Sequence, residues 1–215
     1  MALKNQVTRF VLSLSLLLFT MTSLLLNPVP ALAMSNYAVL PTFTNFSKAV
    51  ENGQANVLRG VYVSNVLALP IVQQPLQNAG YVSSEDGVAT QFRMASQFGN
   101  LGLLAHNHLA GKSFSELTVG QEVRLVYGDG HVEYFVIKEV LKYQAMQPYS
   151  PYSSFRNLDK DEVLTAEQMF KSVYFGDHHV TFQTCIAAEG NLSWGRLLVI
   201  AIPKNDFSNI SLSEN

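Results

Sequence analysis

The 215-residue sequence contains a single cysteine, Cys185, and a single tryptophan. One cysteine excludes an intramolecular disulfide, so packing and hydrogen bonding alone must hold the fold. Charge is sparse at 14% of residues, with 14 Lys and Arg against 16 Asp and Glu. No basic stripe is present, which argues against a nucleic-acid partner. Internal repeats and low-complexity linkers are also lacking. The one long apolar run, residues 10–26, is diluted by Ser13, Ser15, Thr20, Thr22 and Ser23. It falls short of the roughly 20 predominantly apolar residues that a spanning helix needs.

That run follows Lys4 and Arg9 and precedes a helix-breaking stretch with Ala31 and Ala33 in an A-x-A arrangement. The pattern is that of a secretory signal peptide over residues 1–33, cut after Ala33, with an uncleaved anchor as the alternative. Without it, 12 basic and 16 acidic residues remain, a net charge of about −4. The 182 residues that follow are enough for one domain with a full core. They divide into an N-terminal extension, 34–57, a domain over 58–203, and a polar tail, 204–215, expected to fray. In an exported chain a lone thiol reads as an intermolecular bridge, a reactive group, or a buried small hydrophobe. The count leaves all three open.

The elements are mostly strands. "LRGVYVSNVLALPIVQQP" is rich in strand formers and ends in breakers. "GVATQFRMA" fits a strand or a short helix, and "NLGLLAHNHLAG" a short buried strand running into a turn. Residues 122–127 and 132–140 alternate apolar and polar around Gly128-Asp129-Gly130, which is hairpin chemistry. A short helix is expected around residues 45–52. A better one lies in "TAEQMFKSVYF", where Thr165 and Gln168 form a capping box and Met169, Phe170 and Val173 are core residues. Residues 147–162 read as a long irregular segment of the kind that often carries function. "HVTFQTC" and "GRLLVIAIP" read as two strands joined by a loop over residues 186–194. Many short strands and few helices predict a mostly β barrel or sandwich.

A thiol becomes a nucleophile when a histidine, distant in sequence and near in space, assists it. Five histidines are available. His131 falls in the hairpin turn and is expected to be solvated. His178 and His179 start the strand that ends at Cys185, which puts them roughly 20 Å from the sulfur. His106 and His108 remain, at the mouth of the strand "LGLLA". Arg196 opens an otherwise apolar strand, a costly position unless the guanidinium is paired or reaches water. If its strand pairs antiparallel with that of Cys185, the two side chains meet at one edge, where a guanidinium can stabilise an oxyanion.

These residues resemble the sortase family of cysteine transpeptidases. Thr181-Phe182-Gln183-Thr184-Cys185 matches the family's Thr-Leu-x-Thr-Cys motif at a barrel-strand end, with Phe182 in place of leucine. Arg196 follows eleven residues later, where the family has its arginine. Ala105-His106 matches its small-residue-His motif, with alanine where glycine is common, and Phe114, Leu117 and Gly120-Gln121 fall at its later landmarks. The resemblance spans residues 58–203. It implies a closed β-barrel of about seven to eight strands with a few short helices. It also implies a Cys185 nucleophile, a His106 acid and base with His108 as the alternative, Arg196 on the oxyanion, and Thr184 against substrate.

The reaction it implies cleaves a sorting-signal peptide or protein through a thioacyl enzyme and transfers it to an amine acceptor at the cell surface. The enzyme would be exported and monomeric. No cofactor or metal is called for. Asp159-Lys160-Asp161-Glu162 lacks a calcium-loop spacing and reads as a solvated turn. A hydrolase on the same fold, and an exported β-barrel binding module with an inert cysteine, are the competing readings. Sequons at Asn45, Asn191 and Asn209 matter only where exported proteins are glycosylated.

Overall fold

In the computed structural model, residues 39–213 are described. The signal-peptide reading of 1–33 and the start of the expected 34–57 extension lie outside them. Among the described residues no helix is long and apolar enough to cross a membrane.

Ten strands make a single sheet: β1 (Leu58–Val63), β2 (Leu67–Gln73), β3 (Ala89–Gln91), β4 (Leu101–Leu104), β5 (Glu122–Tyr127), β6 (Val132–Ala145), β7 (Phe155–Asn157), β8 (Val163–Leu164), β9 (Val180–Ala188) and β10 (Asn191–Pro203). Their spatial order is β10-β9-β4-β3-β2-β1-β5-β6, and β10 also pairs with β6, so eight strands close into a barrel. Closure leaves those eight strands no open edge. The ribbon of β7 and β8 continues outward from β6. Two pairings are parallel, β2 with β3 and β4 with β9.

The period-two alternation of the strands fills the interior. Leu103, Leu125, Ile137, Phe182, Leu197 and Val199 are all at most 4% exposed and pack in one cluster. The Phe182 ring meets Phe114 edge-on at 5.2 Å. Phe114 belongs to the 3-10 segment Ala110–Glu116, which caps this end of the core. Burying one such ring contributes about 1.5–3 kcal/mol.

Among the described residues four α-helices decorate the barrel: α1 (Phe43–Val50), α2 (Arg93–Ser96), α3 (Ala166–Tyr174) and α4 (Lys204–Ser213). The capping box of α3 forms as expected: the Thr165 hydroxyl accepts from Gln168 N at 3.2 Å, and the Gln168 side chain accepts from Thr165 N at 2.8 Å. Met169, Val173 and Tyr174 pack it against the outer face of β6 and β10, with Phe170 partly buried beside them.

Three expectations need correction. Residues 186–194 are not an open loop. β9 and β10 run on to a two-residue turn at Glu189-Gly190, both with positive φ, 52° and 73°. Such a turn matches the twist of the strands that it joins. Residues 147–162 are not irregular throughout, because β7 pairs with both β6 and β8. The tail after Pro203 turns into α4, and Lys204 anchors its start on Glu122 at 2.5 Å.

Candidate active site

The site is built on the outward face of β4, β9 and β10. In the β9–β10 ladder Cys185 and Arg196 are direct partners. Antiparallel partners stand roughly 5 Å apart at Cα and project to the same face. On the other side, β4 runs parallel to β9 with Leu103 opposite Phe182 and Leu104 opposite Gln183. The ladder continues past the last paired residue, since Ala105 N donates to Gln183 O at 3.3 Å. Two residues beyond Leu104 the register sets His106 opposite Cys185. The alternation agrees: Leu103, Ala105 and Phe182 belong to the interior cluster, whereas His106 and Cys185 are half-buried on the outside. His106, Cys185 and Arg196 therefore form one row across three adjacent strands, with the thiol in the middle.

The row is held from beneath and from its ends. Thr184 is 4% exposed, and its hydroxyl donates to Ala105 O at 2.8 Å, so it fastens β9 to the residue before His106. Thr184, expected against substrate, has its hydroxyl engaged in this bond and also lines the hollow beside Cys185. Gly111 makes the same junction possible: a Cβ there would overlap the Thr184 hydroxyl and lie 2.7 Å from the His106 carbonyl. That carbonyl accepts from Leu109 N at 2.9 Å and Gly111 N at 3.0 Å, which turns the chain sharply after the histidine. Asn107 Nδ2 donates to Leu192 O at 2.8 Å and ties this turn to the β9–β10 arm.

The turn also settles how the two histidine candidates relate. Their rings stack with centroids 5.5 Å apart, through the turn and not through extended alternation. His106 is half-buried and His108 is exposed. His131 is largely solvated, 4.0 Å from Glu133, and His178 bonds to Gly99 O at 2.8 Å. Neither those two nor His179 approaches the row.

Arg196 is oriented by the backbone, its Nη1 donating to Ser193 O at 3.1 Å and Gly195 O at 2.9 Å. Its Cζ lies 5.8 Å from the Phe155 ring centroid, at cation–π range. Among the described residues its other N–H donors have no acceptor, which is what an oxyanion-binding group requires.

Two hollows border the row, one at Arg196 and one at Cys185. One of about 220 Å³ is bordered by Arg196 and Gln183 and walled by Phe92, Phe155, Phe170 and the loop at Ser150 and Pro151. The other, about 320 Å³, is bordered by Cys185 and Asn107, with a floor of Ile186 and Leu197 and Glu116 at its rim. Residue reading from the sequence did not single out Gln183, Tyr174, Asn107 or Phe155. Only Gln183 carried a signal, as a polar side chain at an outward position of β9. Among the described residues no group of three or more His, Cys, Asp or Glu is arranged to hold a metal ion.

No family model matches the sequence, and no curated protein matches it. Solved structures similar to this one are sortases. They include sortase A of Listeria monocytogenes, 14% identical with a TM-score of 0.44, covering 69% of this chain and 87% of that one. A Clostridium perfringens sortase D5 transpeptidase is 14% identical with a TM-score of 0.43, over 74% and 87% of the two chains. Sortase C1 of Streptococcus suis is 11% identical with a TM-score of 0.46, over 74% and 76%. All three TM-scores are below 0.5; the mostly β closed barrel with short helices stands on the strand pairings themselves.

Proposed function

We propose that the chain is an exported cysteine transpeptidase of the sortase type. The observation that supports this most is the row of His106, Cys185 and Arg196 on one face of three neighbouring strands. The Cys185 thiolate attacks the carbonyl carbon of a sorting-signal peptide bond. The carbonyl oxygen takes the negative charge and lies against the free N–H donors of Arg196. As the C–N bond breaks, His106 gives a proton to the departing amine and a thioester remains on Cys185. An incoming amine at the cell surface loses its proton to His106, attacks the thioester, and releases both the new amide and the Cys185 thiolate. His106 fits this acid and base role better than His108 because it continues the strand beside Cys185. The basic, apolar and small-residue pattern of residues 1–33 supports export. The steps need neither metal nor cofactor, and one chain supplies every group.

The test combines labelling with product analysis. Iodoacetamide should modify Cys185 in the folded protein, and a peptide library supplied with a small amine should give amine-dependent ligation products that Cys185→Ala abolishes. A thiol that reacts only after unfolding sinks the catalytic reading. Release of cleaved peptide with no ligation at saturating amine marks a hydrolase instead.

A further inference from the structure

Gln183 lies two residues before Cys185, so strand alternation puts both side chains on the same face. It is half-buried and borders the hollow next to Arg196. Its carboxamide oxygen accepts a hydrogen bond from the Tyr174 hydroxyl at 2.8 Å. Tyr174 is 2% exposed, and burial raises its hydroxyl above the ordinary phenol range, which keeps it protonated and a donor. Its position is fixed as well. The rings of Phe92 and Phe170 pack on it at 5.3 Å and 5.1 Å, and Asn100 Nδ2 donates to its carbonyl at 2.9 Å.

With the oxygen engaged, the two N–H donors of the amide are the free side of Gln183. Among the described residues no acceptor meets them. Of the walls, Phe92, Phe155, Phe170 and Val173 offer no side-chain acceptor and Met169 only a weak one, and the Ser150 hydroxyl already accepts from Tyr152 N. A half-buried donor pair without an acceptor, in an apolar hollow beside an arginine and close to a nucleophile, has the chemistry of a recognition group.

We infer that Gln183 is a specificity-determining residue, whose N–H donors, aimed by Tyr174, bind a carbonyl oxygen of the acyl-donor peptide in the hollow beside Arg196. The inference rests on the transpeptidase reading. The oxygen belongs either to the peptide backbone or to an Asn, Gln, Asp or Glu side chain, and the experiment separates the two.

A library of acetylated, amidated peptides is offered to wild type, Gln183→Leu and Tyr174→Phe, and thioacyl adducts on Cys185 are followed by intact mass. Iodoacetamide labelling of each variant reports fold and thiol independently. Gln183→Leu should acylate about three- to tenfold more slowly at unchanged labelling rate. A backbone contact lowers the rate across the whole library, and a side-chain contact lowers it only for peptides with those four residues. Tyr174→Phe leaves Gln183 in place but frees its amide, gives a smaller fall, and carries the test if Gln183→Leu does not fold. Gln183→Leu acylated as fast as wild type, with the same preferences, removes this inference alone. A wild type that no peptide acylates removes the transpeptidase reading and the inference with it.

Discussion

His179 and His106 sit at opposite ends of the same parallel strand pair and meet opposite surroundings. His179 precedes β9 and is 6% exposed, with Nδ1 2.7 Å from Asp177 O and Nε2 2.9 Å from Val173 O. Its backbone N–H is taken as well, by Asn100 Oδ1 at 2.8 Å. His106 follows β4, is half-buried, and has no hydrogen bond to its ring among the described residues, only the face of His108. One histidine is consumed in joining α3 to the barrel; the other keeps its nitrogens open at the groove. A ring with both nitrogens engaged cannot exchange a proton with substrate, so exposure to reaction has to be left unsatisfied by the fold. A hollow of about 540 Å³ lies at the His179 end, larger than either of those bordered by Arg196 or Cys185.

Exchanging the fates of these histidines breaks the comparison most directly. His106→Gln should lower turnover by about 10²–10⁴-fold, the usual weight of a positioned acid and base. His108→Gln should cost less than about threefold by the same measure, because an exposed stacking partner touches no reacting atom. Equal losses in product-release assays would overturn the assignment. Arg196→Lys keeps the charge but loses the planar fork, and should reduce turnover by about 10²-fold with little change in thermal stability. His179→Ala moves the other observable. It should destabilise the fold by about 1–3 kcal/mol in denaturant titration, through the lost packing and the Asp177 carbonyl left unpaired (Val173 O keeps the Thr181 hydroxyl), while the iodoacetamide rate of folded Cys185 stays that of wild type.

The smallest effect is expected far from both histidines. The hydrogen bond from Lys204 holds the Glu122 carboxyl below its usual range, against the opposing pull of burial and with help from Arg124. Glu122 bridges β5 to the start of α4. A depressed carboxylate contributes stability that is present above its unfolded-state value and is lost as pH falls through the folded-state one. Glu122→Gln should therefore cost less than about 1 kcal/mol near neutral pH, and its melting temperature should converge on that of wild type in acid. A gap that persists in acid would mean that Glu122 acts through packing.

Local patterns were legible in the sequence. The α3 capping box and the 122–140 hairpin each follow from residues a few positions apart, and Cys185 with Arg196 from their placement on consecutive strands. The pairing of β4 with β9 was not, because a parallel ladder joins segments far apart in the chain and leaves no turn signal between them. Hence the turn at Leu109 and Gly111, which leaves His106 in register with Cys185 and His108 exposed, was not visible from the residues. Thr184 was named as a substrate contact because its neighbour is the nucleophile; its bond to Ala105 O was not visible from the residues, and it also lines the hollow beside Cys185. Glu189 hid a turn, since glutamate rarely takes positive φ. The start of α4 rests on a Lys204–Glu122 contact that no helix propensity in "KNDFSNISLS" announces.

The clasp between Thr184 and Ala105 spans 79 residues of chain. Closing so long a loop costs roughly 4 kcal/mol of entropy by the logarithmic law. It can be met only once β9 has docked against β4, and Arg196 joins the row only when β10 pairs with β9 in turn. A nascent chain emerging in order thus carries its histidine early and its thiol late, and the two become neighbours only in the final act of folding. Copies in which β9 has not docked hold no assembled row, so the topology that builds the groove also dates it: the three side chains become neighbours only as the barrel closes.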